Sequence, residues 1–173
     1  EMRDRKIAIE RLFDIELEFT FSTSEQAWAA LVLALDIQDI PKFFKKWKTS
    51  REFAKTVEQI VEILKLREKG SLDKRACYKY DKRLLLVAEE LHEAYGLSVD
   101  YLAIERVYDS LTIHDKHEVV VNGGMLIKEY GFQPGPALGE VLTKIEYAIV
   151  DGELANEKEA IIAYIQQVKE EEK

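Results

Sequence analysis

The 173-residue chain contains a single cysteine, Cys77, so no disulfide can form within it. This composition fits a reducing compartment, and we expect a cytoplasmic protein with Cys77 as a buried, unreactive thiol. Long hydrophobic runs are also missing, since the longest, AWAALVLAL at 27–35, is far too short to cross a bilayer. No basic-then-apolar leader opens the sequence. We therefore expect neither secretion nor a membrane partner.

Glycine and proline are scarce, with eight and three copies, and most of the chain shows the apolar period of amphipathic helices. The apolar run VVV at 119–121 is too short to build a sheet. The sequence therefore predicts an all-α fold, an array of about eight to nine helices with no significant β-sheet. A subdomain boundary is expected near 110–118, because LTIHDKHE lacks helical periodicity.

Local capping signals predict where several of these helices begin and end. The residues that can cap a helix start are Ser22 with Glu25, Asp39, Ser50, Ser98, Asn122 and Asn156 with Glu159. The glycines expected at helix ends are Gly70, Gly96, Gly131 and Gly152.

The chain also has no excess of positive charge. Its net charge is −8, which argues against a uniformly basic nucleic-acid binder. The cations are nevertheless concentrated in two stretches. The first basic segment, residues 42–55, carries six positive charges and one negative. The second basic segment, residues 65–83, carries eight positive charges and three negative. Such segregation can bind a polyanion on one face, and solvated helix faces are the alternative interpretation.

Five of the eight glycines and two of the three prolines lie in VNGGMLIKEYGFQPGPALGEVL, residues 121–142. The pattern predicts two helices joined by a short stiff bend, which we call the glycine hairpin. Asn122 can cap the first helix, Gly131 can end it, and Pro136 suits the first turn of the second. Gly139 is expected to permit the close approach of another backbone. Helix starts beside glycines can bind phosphate, although a packing turn needs the same residues.

Several spaced motifs together resemble the C-terminal half of a bacterial CCA-adding tRNA nucleotidyltransferase. EQAWAALVLAL and FFKKWKTS resemble the family's tryptophan-bearing helix and its FL-x-x-WKLSN-like element. Residues 111–126 resemble LPI-x-x-x-x-x-L-x-VNG-x-DL, and residues 131–142 resemble G-x-x-PGP-x-x-G-x-x-L. Residues 150–162 resemble V-x-x-G-x-L-x-N-x-x-x-x-L. The resemblance covers about residues 25–168.

The resemblance implies an enzyme of four parts: a catalytic head, a neck that selects CTP or ATP, and a helical body and tail that hold tRNA. The chain has no Gly-Ser or Gly-Gly element on a strand, no paired magnesium-binding carboxylates and no E-D-x-x-R neck signature. We therefore expect part of a longer enzyme, without cofactor and inactive alone. Mg²⁺, CTP and ATP would be bound by the missing head and neck. The expected divisions are a neck or linker helix at 1–24, a body at 25–110 and a tail at 111–173.

In the family, the body and tail bind the acceptor and T stems and the elbow of tRNA. By resemblance we expect backbone contacts here, made by charge and shape without reading sequence. The candidates in the basic segments are Lys42, Lys45, Lys46, Lys48, Arg51, Lys55, Lys74, Arg75, Lys79, Lys82 and Arg83. The candidates in or beside the glycine hairpin are Asn122, Gly123, Lys128, Gly135, Gly139 and Lys144.

Aromatic and histidine residues leave alternatives open. Trp28 and Trp47 can stack on bases or belong to the core, and AWAALVLAL is typical of a buried helix. His114-Asp115 resembles the doublet of metal phosphohydrolases, an activity that needs further ligands on facing helices; surface histidines are the simpler interpretation. A helical protein-interaction module is the other alternative function. A poly(A) polymerase of the same superfamily fits the C-terminal motifs less well, and a homodimer is left open.

Overall fold

The computed structural model describes residues 19–171, except for the side chains of 168–171. This part of the chain forms nine α-helices, one 3-10 turn and no strand, which confirms the predicted all-α class. The helices are α1 (Ser24–Ala34), α2 (Ile40–Lys46), α3 (Arg51–Glu68), α4 (Lys74–Lys79), α5 (Lys82–Ala94), α6 (Tyr101–Asp109), α7 (Gly123–Tyr130), α8 (Pro136–Asp151) and α9 (Lys158–Glu171), and the 3-10 turn is Lys116–Glu118. None of these helices is long and apolar enough to cross a bilayer.

The predicted helix at 1–24 lies mostly outside the described residues, and residues 19–23 are not helical. The described part of the chain divides into two compact units, between Arg106 and Val107 within α6.

Several helices begin at the predicted side-chain caps. Asp39 Oδ1 accepts a hydrogen bond from the Lys42 N–H at 2.9 Å, and Ser50 Oγ accepts one from the Phe53 N–H at 3.1 Å. These bonds satisfy N–H groups that the first turn of a helix leaves without a backbone partner. The predicted starts of α2 and α3 are thereby confirmed.

Two predicted caps in the first unit are wrong. Thr23, rather than Ser22, caps α1, because its Oγ1 accepts from the Gln26 N–H at 3.0 Å. The buried Gln26 side chain donates to the Val87 carbonyl at 2.8 Å, and this long-range bond fixes the start of the helix. Asp100, rather than Ser98, caps α6 through the Ala103 N–H at 2.9 Å.

The core of the first unit forms where α1 and α5 pack on α3. One side of α3 forms an apolar stripe, on which Val57, Ile60, Val61 and Leu64 are all buried. A fully buried aliphatic side chain of this size contributes about 1.5–3 kcal/mol relative to an exposed one. This three-helix core supports the shorter α2 on its surface.

A buried ion pair joins α3 to α5. Glu89 is 1% exposed, and its carboxylate accepts from Arg67 Nε at 3.0 Å and from the Asp100 N–H at 2.8 Å. Arg67 Nη2 also donates to the Ser98 carbonyl at 3.0 Å. Arg67 is therefore a structural cation that ties two helices to the loop before α6.

The second unit is built on α7, α8 and α9. Leu126 of α7, Ile145 and Ile149 of α8 and Ile161 of α9 are each 0% exposed. They make a single apolar core that fixes α7 against α8. The glycine hairpin therefore belongs to the packed part of this unit.

Asn156 was predicted to cap the last helix, and this prediction is wrong. Its side chain instead bridges the loop before α7, accepting from the Val120 N–H at 3.0 Å and donating to the Glu118 carbonyl at 2.9 Å. The helix begins two residues later, at Lys158. A side chain that can cap locally is used here for a tertiary contact.

Cys77 and His92 are also buried in the core of the first unit. Cys77 is 0% exposed, as predicted, and burial followed by the nearby Asp73 raises its pKa to about 11. His92 is 5% exposed, so its interpretation as a surface histidine is wrong. It lies on the buried face of α5, where its spacing of four residues from Ala88 and seven from Leu85 places it inward.

Candidate nucleic-acid interface

The first basic segment begins on α2, whose two faces differ in polarity. Ile40 and Phe44 are buried, whereas Lys42, Lys45 and Lys46 are exposed. Residues spaced i, i+3 and i+4 lie on the same side of a helix. α2 therefore presents three ammonium groups on its outer side.

The chain turns between α2 and α3 through an uncommon backbone conformation at Lys48. Its φ is +53°, in the left-handed region that residues other than glycine rarely adopt. The Lys48 N–H donates to the Lys45 carbonyl at 3.4 Å, and Ser50 then starts the next helix. The turn leaves Lys48 exposed beside the three lysines of α2.

The segment continues on the first turns of α3 with Arg51 and Lys55. Both are exposed, and their i, i+4 spacing places them on one side of that helix. Among the described side chains, residues 19–167, no salt bridge or hydrogen bond engages the side chain of any of the six cations of this segment. All six predicted contact residues of this segment are therefore exposed, and none of them is neutralised by another described residue.

An aromatic cluster lies beside these lysines. The Trp47 ring is 6.2 Å from the Trp28 ring and 6.3 Å from the Phe43 ring, between centroids. Trp28 is half-buried against Phe44, at 5.4 Å, so the interpretation of its whole helix as buried is wrong at this residue. Trp47 is 62% exposed. The two tryptophans therefore differ in exposure: Trp28 is half-buried and Trp47 is exposed.

The second basic segment is different, because most of its cations interact inside the protein, although Arg83 is exposed like the cations of the first segment. Lys79 Nζ lies 3.1 Å from Glu62 Oε2 and 5.0 Å from the centre of the Tyr80 ring. The buried Tyr80 donates its hydroxyl hydrogen to the same carboxylate at 2.7 Å. The hydrogen bond from Tyr80 is the largest of the effects that lower the pKa of Glu62. The hydrogen bond from Lys79 lowers it further. Lys79 is therefore held in a structural ion pair.

Other predicted contacts of this segment also interact within the protein, namely Lys74, Arg75 and Lys82. Arg67, in the same segment, makes the buried pair with Glu89. Sequence reasoning did not find Glu62 and Glu89, because both lie many residues from their cations along the chain. The one indication in the sequence was the position of Glu89, which falls among the apolar residues on the inner side of α5.

The glycine hairpin has the predicted backbone. Asn122 Oδ1 accepts from the Met125 N–H at 3.0 Å and caps α7. Gly131 ends that helix with φ +71°, and Pro136 occupies the first turn of α8 after Gly135 at φ +157°. Residues 133–137 are exposed, so the bend lies at the surface.

The glycines of the hairpin have separate structural uses. A Cβ at Gly123 would meet the Leu142 side chain at 3.3 Å and the Leu138 side chain at 3.6 Å, so Gly123 lets α7 approach α8. Gly139 is exposed, with nothing within 4 Å of a would-be Cβ. No described part of the chain comes close to Gly139, which lies on the outer side of α8, so the predicted close approach is not made within the protein.

Two helix starts are available to an anion in this hairpin. Asn122 and Gly123 begin α7, and Gly135 begins α8 without a side-chain hydrogen bond to its first turn. First-turn N–H groups and the helix dipole both favour negative charge. Lys128 is exposed on α7, while Lys144 is exposed on α8 and also interacts within the protein.

The His114-Asp115 doublet has a structural use in the loop before α7. His114 Nε2 lies 3.2 Å from the Tyr108 carbonyl oxygen, and Asp115 Oδ1 accepts from the His117 N–H at 2.7 Å to cap the 3-10 turn. Within the described part of the chain, no three histidine, cysteine or acidic side chains are grouped to hold a metal ion. The residues present thus do not form the ligand set that a metal phosphohydrolase requires.

The sequence matches a known protein family over most of its length. A family model described as tRNA nucleotidyltransferase domain 2, putative, matches residues 19–165. The CCA-adding enzyme of Streptococcus sanguinis (strain SK36) is 57% identical over 169 residues, which are 98% of this chain and 42% of that protein. The CCA-adding enzyme of Streptococcus suis (strain 05ZYH33) is 50% identical over 155 residues, or 90% of this chain and 38% of that protein.

The fold is also similar to a solved structure. The crystal structure of the Bacillus stearothermophilus CCA-adding enzyme in complex with CTP matches with a TM-score of 0.80 and 27% sequence identity. The match covers 88% of this chain and 40% of that one. This chain thus spans less than half the length of the relatives that it matches.

Proposed function

This chain belongs to the tRNA nucleotidyltransferase domain 2 family, and on that premise we propose that it is the tRNA-binding body and tail of a CCA-adding enzyme. Such an enzyme adds CCA to the 3′ end of tRNA from CTP and ATP. The chain corresponds to 42% of the Streptococcus sanguinis relative, and the catalytic groups would lie in the remainder. We expect the chain alone to be inactive in nucleotide addition.

The observation that carries the proposal is the first basic segment with its unpaired cations. Lys42, Lys45 and Lys46 point outward from α2, and Lys48, Arg51 and Lys55 extend the same stretch. Exposed cations without acidic partners can replace the counterions of a phosphate backbone. A protein with a net charge of −8 then binds a polyanion through a local site.

The mode of contact follows from the side chains available. Lysine and arginine on a helix surface bind phosphates, and phosphate contacts position an RNA without reading its bases. An A-form stem presents phosphates and 2′-hydroxyls in a regular shape. A site of this kind suits an enzyme that acts on every tRNA, through the acceptor and T stems and the elbow.

The glycine hairpin adds a second backbone contact in this proposal. The first turns of α7 and α8, which begin beside Asn122, Gly123 and Gly135, carry N–H groups that the helix itself leaves without carbonyl partners. Lys128 is exposed on α7 and has no ion pair within residues 19–171. Gly139 leaves an open surface on α8 that a backbone of RNA can approach.

In this proposal the magnesium chemistry belongs to the head of the complete enzyme. Within the described residues no group of acidic side chains or histidines is arranged as a metal site. We assign Mg²⁺, CTP and ATP to the head and neck of the complete enzyme.

Titration of the chain with a tRNA transcript at several salt concentrations tests the proposal. Replacing Lys42, Lys45, Lys46 and Lys48 together by Gln should weaken binding and flatten the dependence of log K on log salt. The slope should fall by up to about 0.9 for each lost phosphate contact.

A matched variant controls for the change in net charge. It replaces four cations outside both basic segments and the glycine hairpin by Gln, namely Arg106, Lys116, Lys169 and Lys173. This variant should retain a salt slope close to that of the unchanged chain. Equal slopes for both quadruple variants, or no binding of tRNA at low salt, would contradict the proposed function.

A further inference from the structure

Trp47 combines a large apolar surface with high exposure. It follows α2 as its C-terminal cap and is 62% exposed, although an indole buries more apolar area than most side chains when it can. Among the described residues, its aromatic neighbours are Trp28 and Phe43, at ring-centre distances of 6.2 Å and 6.3 Å. The remaining surface of the ring faces solvent.

The exposed ring is held in place by the structure around it. The backbone N–H of Trp47 donates to the Phe44 carbonyl at 3.0 Å, and the Phe44 side chain is only 1% exposed. Phe43 and Phe44 pack edge to face at 5.2 Å, which anchors the cluster to α2. A ring that is ordered before binding loses little conformational freedom when a ligand covers it.

The surroundings of Trp47 indicate the chemistry of its partner. Lys45, Lys46 and Lys48 are exposed and have no salt bridge within residues 19–171. An apolar protein surface would have to remove water from these three charges without replacing it, which is unfavourable. A nucleic acid supplies an anionic backbone for the lysines and an aromatic base for the indole.

The backbone at Lys48 supports the same conclusion. Its φ of +53° is costly for a lysine, and such strained residues cluster at functional sites. The left-handed turn places Lys48 directly after Trp47 at the surface and before the start of α3. A regular continuation of α2 would not make this turn.

We propose that Trp47 stacks on an exposed nucleobase of the bound RNA while Lys45, Lys46 and Lys48 bind the adjoining phosphates. This inference rests on the proposed function and adds to it a base contact that does not depend on sequence. Stacking needs a base whose face is open, and interior base pairs of a stem have none. The site therefore recognises folded RNA at a loop or at the end of a stack, rather than along a stem.

Affinity measurements on substituted chains test the role of the ring. Trp47→Leu keeps an apolar cover over Trp28 but removes the aromatic face, and tRNA binding should weaken roughly 5- to 150-fold. Trp47→Phe should restore most of the affinity. Neither change should alter the salt slope, because no phosphate contact is lost.

Fluorescence provides a readout that affinity alone does not. The chain has two tryptophans, so Trp28→Phe leaves Trp47 as the only indole. Its emission should be quenched in a saturable manner by tRNA. A long fully paired RNA duplex should bind with a similar salt slope but little quenching.

The outcomes separate this inference from the proposed function. Unchanged tRNA affinity in Trp47→Leu, or tRNA binding without quenching in Trp28→Phe, would overturn the stacking site and leave the proposed function standing. Absence of tRNA binding by the unchanged chain would overturn both. Should Trp47→Leu not fold, the quenching result in Trp28→Phe decides the question.

Discussion

The two basic segments look alike in the sequence and differ in the structure. In the first, residues 42–55, all six cations are exposed, and within the described chain none of them has an acidic partner. In the second, residues 65–83, Arg67 is held by Glu89 and Lys79 by Glu62. The number of lysines and arginines therefore does not decide whether a segment can bind an anion. Acidic residues from other helices decide it.

The largest effect expected from this contrast concerns stability. Arg67→Met leaves the buried Glu89 carboxylate without its cation, and breaking such a pair destabilises a protein by about 3–5 kcal/mol. Arg51→Met in the first segment removes an exposed cation and should change the free energy of unfolding by less than about 0.5 kcal/mol. Urea unfolding followed by far-UV circular dichroism measures both. If the two variants lost similar amounts of unfolding free energy, this would contradict the conclusion that cations of the second basic segment are structural and those of the first are not.

Local signals predicted much of the fold. Asp39, Ser50, Asn122 and Gly131 were correctly assigned because a cap depends on residues three or four positions away. The helical class followed from the same local pattern.

Long-range contacts account for what the sequence did not predict. Ser22, Ser98 and Asn156 were wrongly assigned as caps. The Gln26 side chain hydrogen-bonds to Val87, which is 61 residues away in the sequence. The Asn156 side chain hydrogen-bonds to Val120, which is 36 residues away. The same limit applies to the candidate site, because the charges were visible in the sequence and their pairing was not.

Two glycines of the glycine hairpin, Gly131 and Gly139, also look alike in the sequence and differ in the structure. Substituting them is expected to change stability by an intermediate amount. Gly131 has φ +71°, so Gly131→Ala forces a left-handed conformation and should cost about 1–2 kcal/mol. Gly139 is helical, with open space around it, so Gly139→Ala should stabilise by about 0.5–1 kcal/mol. Thermal unfolding of the two variants gives shifts of opposite sign. Shifts of the same sign would show that the hairpin does not divide its glycines in this way.

The smallest expected effect tests whether Glu62 withholds Lys79 from an RNA ligand. Because hydrogen bonding and Lys79 lower the pKa of Glu62 below its ordinary value of 4.5, its charged form stabilises the fold above that value. The contribution is lost as the pH falls through the lowered pKa. Since the pair is largely exposed, Glu62→Gln should cost only about 0.2–1 kcal/mol at pH 7 and nothing in stronger acid.

Glu58→Gln is the matched control, because it removes an equal charge from the same helix α3. Urea midpoints at pH 7 and in acid measure the stability of both variants, and tRNA titration at low salt measures their affinity. If Lys79 is held back by its ion pair, Glu62→Gln should raise tRNA affinity more than Glu58→Gln, since it also frees a cation. Equal gains would mean that the second basic segment contributes only through its net charge, and that the first segment alone forms the lysine contacts of this unit.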